Sequence, residues 1–217
     1  MQIKWFGHSS FLLTSDAGTR ILIDPYYKFL GYRMPVPVES DIVVVTHNHG
    51  DHNKVKAASG DYLLVNEPKA YGRGDVRIDG FKTFHDKVNG KKRGPNIIFR
   101  FQIDGLTVCH CGDLGHLLTA EQAEAIGRTD VLIVPVGGRM TLDGAEAAQV
   151  MRQLQATVAI PMHYRTKALG LLGKIVFAKA DPFLTAAGTR TTPDVPLLNV
   201  SKDSLSQYAG VVTMRYN

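Results

Sequence analysis

The segment of residues 46–52 holds the side chains of this sequence that are best suited to chemistry. His47, His49, Asp51 and His52 fall within six consecutive positions. Imidazole nitrogens and carboxylate oxygens are the ligands that zinc and other borderline divalent cations prefer. A single histidine in a loop is usually only a polar surface residue, but four candidate ligands at this spacing predict a metal site.

A buried strand is predicted directly before these ligands. Residues 41–46 form a short, β-branched run with polar residues on both sides, which is typical of a strand in a protein core. The ligands would therefore lie on the loop that leaves the carboxyl end of this strand, where α/β proteins place their chemistry. Asp51 and His52 can point away from His47 and His49, so this one loop could serve two metal ions.

The pattern His47-x-His49-x-Asp51-His52 after an apolar strand resembles the signature of the metallo-β-lactamase superfamily of hydrolases. The later positions of the family pattern are matched, in the same order, by His85 in Thr-Phe-His-Asp, Asp113 in Cys-Gly-Asp-Leu-Gly-His and His163 in Ile-Pro-Met-His. The Gly-His-Ser-Ser element at residues 7–10 and the compact length look most like the simple metal-dependent hydrolase branch, which is similar to the ascorbate-phosphate lactonases.

This resemblance implies a centre of two divalent metal ions. The first ion would be held by His47, His49 and His85, and the second by Asp51, His52 and His163, with Asp113 as a bridge between them. Zinc is the expected metal, and manganese or iron would also suit imidazoles and carboxylates. Two such ions lower the pKa of bound water toward about 7, so hydroxide is available at neutral pH to attack a carbonyl carbon or a phosphorus.

Residues around these ligands are candidates for supporting roles. Asp24, in Ile-Asp-Pro, is expected to accept a hydrogen bond from the ligand loop or a ligand imidazole, although Asp-Pro also commonly starts a turn. Asp51 could orient the nucleophile, and His8 and His116 are proton donors, substrate contacts or packed polar side chains. The candidate substrate contacts are Lys91, Lys92, Arg93, Tyr164 and Arg165.

The clearest basic cluster lies at residues 87–94, directly after the candidate ligand His85. Its glycines indicate a mobile loop, which is either a solvated hairpin tip or a site that captures a phosphate or carboxylate. No aromatic residues alternate with the basic ones, as they do on platforms that bind single-stranded nucleic acid. Together with the net charge of +5, this pattern favours a small anionic substrate over a nucleic acid.

The composition is that of an ordinary globular enzyme. The 217 residues are 44% hydrophobic and 21% charged, which suits one hydrolase domain over residues 1–217. No apolar run approaches the roughly 18 residues that span a bilayer, and the N-terminal residues lack signal-peptide regions, so we expect no membrane association and a cytoplasmic location.

Cys109 and Cys111 are expected to be packed thiols on one face of a strand, opposite His110. A homo-oligomer remains open, because a symmetric interface leaves no short motif.

The predicted elements fit an α/β fold in four layers. Strands are predicted near residues 2–14, 19–24, 41–46, 62–66, 75–84, 96–103, 106–111, 131–136, 157–162 and 210–216, and helices near 119–127, 143–155 and 181–188. Thr119 and Gln122 form a capping box, and Gly127 can end that helix. Asp181 is expected to cap the last helix, with Pro182 at its first position. Two β-rich blocks with helices predict an αββα sandwich, with two sheets face to face and the ligands on loops along one edge.

Three classes of function fit these observations. A metal-dependent hydrolase acting on a small anionic ester, lactone or phosphodiester is favoured by the complete set of candidate ligands. A nuclease acting on RNA or DNA is the first alternative, but the basic residues are few and no long insertion is evident to grip a polynucleotide. A non-hydrolytic di-iron redox or metal-binding protein is the second, and the lack of an attached flavodoxin-like domain weakens its redox form.

Overall fold

The computed structural model describes residues 1–216. Most strands in this part of the chain are short. They are β1 (Gln2–Trp5), β2 (Phe11–Thr14), β3 (Arg20–Ile23), β4 (Lys28–Phe29), β5 (Tyr32–Arg33), β6 (Val38–Glu39), β7 (Ile42–Val44), β8 (Ala58–Ser59), β9 (Leu63–Val65), β10 (Ala70–Arg73), β11 (Val76–Phe84), β12 (Pro95–Ile103), β13 (Leu106–His110), β14 (Val131–Pro135), β15 (Val158–Met162), β16 (Thr191–Val195), β17 (Leu198–Asn199) and β18 (Gly210–Met214). The α-helices are α1 (Ala120–Ile126), α2 (Gly144–Gln153), α3 (Gly170–Val176) and α4 (Asp181–Ala187), and short 3₁₀ turns occur at Val55–Ala57, Lys167–Leu169 and Leu205–Tyr208.

Two large sheets form the centre of the molecule. The first has six strands in the order β17-β1-β2-β3-β7-β9, of which β3, β7 and β9 are parallel. The second has eight strands in the order β10-β11-β12-β13-β14-β15-β18-β16, of which β13, β14, β15, β18 and β16 are parallel. The carboxyl ends of parallel strands meet at one edge of a sheet, which is where α/β proteins gather the side chains that do chemistry.

The sheets pack face to face around a shared hydrophobic core. Because side chains alternate between the faces of a strand, Ile21 and Ile23 of β3 face this core, whereas Leu22 between them faces the outer layer. Phe99 and Phe101 of β12 meet them from the second sheet and are fully buried. Each such buried side chain contributes roughly 1.5–3 kcal/mol relative to an exposed one, so this core holds the sheets together.

Helices cover the outer face of the second sheet. Val150 of α2 and Phe183 of α4 pack against Leu132 and Val134 of β14. The longest helix, α2, has ten residues, and no helix among residues 1–216 is long and apolar enough to cross a membrane. These helices form one outer layer of the expected αββα sandwich.

The outer face of the first sheet is covered differently. Leu22 packs there with Tyr26 and Tyr32, which belong to a largely irregular segment, and with Phe177 at the end of α3. Prolines interrupt this segment at positions 25, 35 and 37, and proline cannot sit inside a helix without breaking it. The fourth layer is therefore built from a loop, two short strand pairs and one short helix.

Most of the predicted elements are confirmed. The capping box of Thr119 and Gln122 begins α1, and Gly127 ends it. The predicted strand over 2–14 is instead two strands joined by a turn at residues 6–10, because Gly7 and His8 have positive φ angles. Asp181 does not cap α4 as expected; the N-cap is Ala180, and Asp181 is the first helical residue. The helix α3 and seven strands were not predicted, namely β4, β5, β6, β8, β10, β16 and β17.

Candidate metal centre

Five loops bring the candidate ligands to one edge of the sandwich. The loop after β7 carries His47, His49, Asp51 and His52, the turns after β11, β13 and β15 carry His85, Asp113 and His163, and the turn between β1 and β2 carries His8. These side chains come from both sheets, so the cluster lies where the sheets meet. Most are buried, but His49 and Asp51 are only partly buried, so the cluster is open to solvent on their side.

Asp113 lies at the centre of this cluster. Its Oδ2 is 3.1 Å from Nε2 of His85 and 3.1 Å from Nε2 of His163. The same oxygen is 3.4 Å from Nε2 of His52 and 3.9 Å from Nε2 of His47. One carboxylate oxygen thus faces imidazoles from both predicted ligand sets, which is the position that a bridging ligand requires.

The imidazoles fall into two groups that could each hold an ion. One group consists of His47, His49 and His85, the other consists of His8, His52 and His163, and within each group the ligand atoms lie within 4.8 Å of one another. Nε2 of His47 is buried and has no hydrogen-bond partner among residues 1–216. A buried nitrogen without a partner is costly, and a divalent cation would satisfy it. The histidine and aspartate groups are therefore positioned for metal binding.

Asp24 sets the orientation of two imidazoles. Its Oδ1 accepts a hydrogen bond from the backbone nitrogen of Thr46 at 2.8 Å. Its Oδ2 accepts from the Thr46 hydroxyl at 2.7 Å and from Nδ1 of His52 at 2.9 Å. Because the hydroxyl gives its proton to Asp24, it must accept from Nδ1 of His47, which is 3.0 Å away. Both rings therefore carry a proton on Nδ1 and turn Nε2 toward the cluster, as metal-binding histidines do.

Burial and charge set the protonation of the cluster. Burial, together with the neighbouring His52, lowers the pKa of His47 to about 3, and burial beside His163 lowers the pKa of His8 to about 4. Both imidazoles are therefore neutral at pH 7, as metal ligands must be. Although burial opposes charge, His163 and His52 hold the pKa of Asp113 well below its usual range. Asp113 in turn raises the pKa of the buried His52, so positive charge is favoured at this position.

The backbone of the cluster is strained at three residues. The φ angles of His8, Asp24 and His163 are 53°, 47° and 54°, in the left-handed region that favours glycine. This conformation costs roughly 1–2 kcal/mol for other residues. Such strain clusters at functional sites, where surrounding contacts hold it in place. All three side chains are buried and belong to the cluster or to its hydrogen-bond network.

His116 lies outside the groups of candidate ligands, and its role as a proton donor stays a prediction. Its Nε2 accepts a hydrogen bond from the backbone nitrogen of Phe84 at 3.2 Å, and its Nδ1 donates to the carbonyl of Leu117 at 2.7 Å. Both ring nitrogens are thus occupied by backbone groups. The ring supports the end of β11, directly before His85.

Tyr164 and Arg165 also lie apart from the candidate ligands. The ring of Tyr164 stacks on Trp5, with centroids 5.7 Å apart, and packs against the core. Arg165 lines a separate surface cavity with Lys167 and Lys174, and no candidate metal ligand lines that cavity. Their placement does not support the predicted substrate contacts.

Asp86 gives the basic loop a defined shape. Its Oδ1 accepts hydrogen bonds from the backbone nitrogens of Val88 and Gly90, at 2.8 and 2.9 Å. Its Oδ2 accepts from those of Lys92 and Arg93, at 2.9 and 2.8 Å. Although burial favours the neutral acid, these four hydrogen bonds lower the pKa of Asp86 to about 2. The loop that the glycines predicted to be mobile is therefore tied to one ionised carboxylate.

The basic loop forms one wall of a small cavity beside the cluster. Lys92 and Arg93 line this cavity of about 270 Å³, and so does the candidate ligand His85. Arg139 lines it from the opposite segment, a position that sequence reasoning missed. Lys91, the third predicted substrate contact, is exposed and is not among the residues that line the cavity.

Two further residues that sequence reasoning missed hold Asp113 in place. Asn96 accepts a hydrogen bond from the backbone nitrogen of Asp113 at 3.0 Å. The hydroxyl of Ser9 lies 3.2 Å from Oδ1 of Asp113 and donates to it. Ser9 lies in the Gly-His-Ser-Ser element and could have been suspected, but nothing in the sequence around Asn96 sets it apart.

Comparisons with known proteins agree with this geometry. Residues 2–163 match the Beta-lactamase superfamily domain. A metal-dependent hydrolase of Methanoculleus marisnigri is 31% identical over 190 residues, covering 76% of this chain and 82% of that protein. One from Methanobrevibacter smithii is 30% identical over 200 residues, with coverage of 76% and 82%. The crystal structure of a proposed Zn-dependent hydrolase of the metallo-β-lactamase superfamily from Thermotoga maritima covers 99% of this chain and 98% of its own, with 37% identity and a TM-score of 0.80. The chain therefore belongs to the metallo-β-lactamase superfamily, and its relatives there are named metal-dependent hydrolases.

Proposed function

We propose that this protein hydrolyses an ester, lactone or phosphodiester bond of a small anionic substrate with the help of two divalent metal ions, zinc being the expected metal. The observation that carries the proposal is the position of Asp113. Its single Oδ2 faces imidazoles from both sets of donors at 3.1 to 3.9 Å. Such an arrangement suits two ions that share one carboxylate.

We assign the donors to the two positions as the family pattern implies. His47, His49 and His85 would hold the first ion, and Asp51, His52 and His163 the second, with Asp113 between them. Bound at such a centre, divalent ions supply Lewis acidity and lower the pKa of water toward about 7. The set contains no cysteine, so it suits zinc, manganese or iron.

Asp51 is the candidate for orienting the attacking water. Its carboxylate is partly exposed on the open side of the cluster, and its Oδ2 lies 3.1 Å from Nε2 of His8. Although burial opposes ionisation, the hydrogen bond from His8 lowers the pKa of Asp51, so the carboxylate is charged at neutral pH. An ionised carboxylate here can accept a hydrogen bond from water and fix its direction of approach.

The cavity beside His85 is the candidate substrate site. Lys92, Arg93 and Arg139 line it together with Asp86, whose carboxylate accepts four backbone hydrogen bonds. None of the three cations forms a salt bridge with a residue among positions 1–216. Unpaired cations around a cavity attract an anion. At about 270 Å³, the cavity lies just below the roughly 300–1,000 Å³ that ligand pockets occupy, which favours a small substrate.

Elemental analysis of protein purified without chelators, combined with a hydrolysis screen, tests this proposal. The screen uses bis-p-nitrophenyl phosphate, simple lactones and a generic ester. We expect about two equivalents of zinc, manganese or iron and metal-dependent turnover. Asp113→Asn should lose metal and turnover, whereas Asp79→Asn, which changes a carboxylate on β11 paired with arginines, should keep both.

The other outcomes of this experiment are also informative. One equivalent or none after reconstitution, without turnover, would contradict the two-ion centre. Bound iron without hydrolysis of any substrate would favour the redox alternative. Faster cleavage of an oligonucleotide than of the small substrates would favour a nuclease.

A further inference from the structure

His8 has no place in the family ligand pattern, yet its backbone is fixed at the centre of the site. It lies in the turn between β1 and β2, is 2% exposed, and has a φ angle of 53°. Its carbonyl accepts hydrogen bonds from the indole nitrogen of Trp5 at 3.1 Å and from the backbone nitrogen of His163 at 3.2 Å. Strained backbone that is tied to two other elements holds the His8 side chain in one position.

The ring of His8 is packed against two other rings. Its centroid lies 4.2 Å from that of Phe29, which stacks on it, and 4.5 Å from that of His163. A ring packed in this way has little freedom to turn. The direction of its Nε2 is therefore fixed, and the atoms that face this nitrogen determine what it can bind.

Those atoms are donors of the second predicted ion. Nε2 of His8 lies 3.2 Å from Nε2 of His52 and 3.1 Å from Oδ2 of Asp51. His163 completes a group of three imidazoles whose ligand atoms are mutually within 4.8 Å. A zinc–nitrogen bond of about 2.0–2.1 Å places two nitrogens on a tetrahedral ion roughly 3.3–3.4 Å apart, which matches the distance between His8 and His52.

A simple hydrogen bond explains this geometry less well. The Nε2–H of the metal-free His8 can donate to the carboxylate of Asp51, but a hydrogen bond to Asp51 alone does not account for the second short distance, 3.2 Å from the same nitrogen to Nε2 of His52. His52 donates from Nδ1 to Asp24, so its Nε2 is the nitrogen turned toward His8. A cation at the point where these two imidazole nitrogens and the carboxylate oxygen converge would be coordinated by all three.

We propose that His8 is a ligand of the second metal ion, together with His52, His163 and the carboxylates of Asp51 and Asp113. This inference rests on the proposed two-ion function and adds a donor to it. The second position then has three imidazoles, as the first has, and one carboxylate more. Nitrogen-rich donors favour zinc, iron or cobalt over magnesium and calcium, which prefer oxygen.

Nuclear magnetic resonance of the cadmium-loaded protein tests the proposal without relying on activity. Protein with ¹⁵N-labelled histidine is loaded with ¹¹³Cd, and ligating ring nitrogens are identified by their scalar coupling to the metal. The chain has eight histidines. We expect six of them to be coupled, with His110 and His116 uncoupled because backbone groups occupy their ring nitrogens.

Variants assign the sixth signal. His8→Gln should remove one coupled nitrogen and weaken the binding of one of the two cadmium equivalents, whereas His116→Gln should leave all six couplings in place. Five coupled nitrogens in the unmodified protein would overturn the role of His8 and leave the two-ion centre intact. Failure to bind cadmium or zinc at all would instead overturn the proposed function itself.

Discussion

Replacing Asp24 by asparagine would test how the protein directs its imidazoles. The variant keeps the size of the side chain, and its amide oxygen can still accept from the backbone nitrogen of Thr46. The amide nitrogen must then face the Thr46 hydroxyl and Nδ1 of His52, where a charged acceptor lies in the original protein. Because an amide N–H donates, His52 would have to accept at Nδ1 and carry its proton on Nε2. The nitrogen proposed to bind metal would then be blocked.

The expected size of this effect follows from the contacts. Loss of a hydrogen-bond partner behind a metal-binding histidine typically reduces metal affinity by about 10–100-fold. This corresponds to about 1.4–2.7 kcal/mol of binding free energy. Only the ion at His52 should be affected strongly, since His47 depends on Asp24 indirectly, through the Thr46 hydroxyl. We therefore expect one tight and one weakened equivalent in Asp24→Asn.

Competition against a fluorescent zinc chelator would measure both binding steps. Asp41→Asn is a matched control, because Asp41, directly before β7 and so at the opposite end of that strand from His47, also accepts backbone and side-chain hydrogen bonds, but from Arg20. The control should bind two equivalents with unchanged affinity. Equal affinities in Asp24→Asn and the control would refute the argument that Asp24 fixes the ring of His52.

Three further outcomes are expected. Asp86→Ala should raise KM for an anionic substrate while leaving metal content unchanged, because four backbone hydrogen bonds of the basic loop are lost. Steady-state kinetics would measure KM, and elemental analysis would measure the metal content. Gly112→Ala should destabilise the fold by about 2 kcal/mol or more. The reason is that φ at Gly112 is 56° and an added Cβ would lie 2.4 Å from Oδ1 of Asn96. An unchanged midpoint of urea unfolding would contradict this prediction. Removal of metal by a chelator should lower the midpoint of thermal unfolding, because a ligand at 100 times its Kd stabilises the folded state by about 2.7 kcal/mol. Equal midpoints with and without metal would argue against ions that bind only the folded chain.

The sequence was most informative where local chemistry dictates structure. The capping box of Thr119 and Gln122 predicted a helix that the structure confirms, because the two side chains satisfy backbone groups within one turn. Periodicity could not predict α3, whose Leu171 and Ile175 are exposed, so its apolar residues do not mark a buried face. The turn at Gly7 and His8 was missed for a related reason, since positive φ angles leave no trace in an alternating apolar pattern.

At the candidate site, the sequence predicted residue types better than contacts. The spacing of the ligand loop singled out donors that the structure brings together around Asp113. Proximity in sequence does not bring Tyr164 and Arg165 to the candidate ligands: Tyr164 stacks on Trp5 and Arg165 lines a separate cavity, so their role as substrate contacts stays a prediction. The support from Asn96 depends on a contact with a residue 17 positions away, which no local pattern encodes.

The candidate ligands come from both sheets, and this has a consequence for how the protein unfolds. The first sheet contributes the loop after β7, and the second contributes the turns after β11, β13 and β15. An ion held by these segments would join parts of the chain that are distant in sequence, and because it binds only the folded chain it would stabilise the fold by its binding free energy. Without ions, this edge is held by buried imidazoles and carboxylates in place of apolar contacts. The metal-free sheets should therefore separate first at this edge, so the ions that supply the chemistry would also decide the order in which the fold opens.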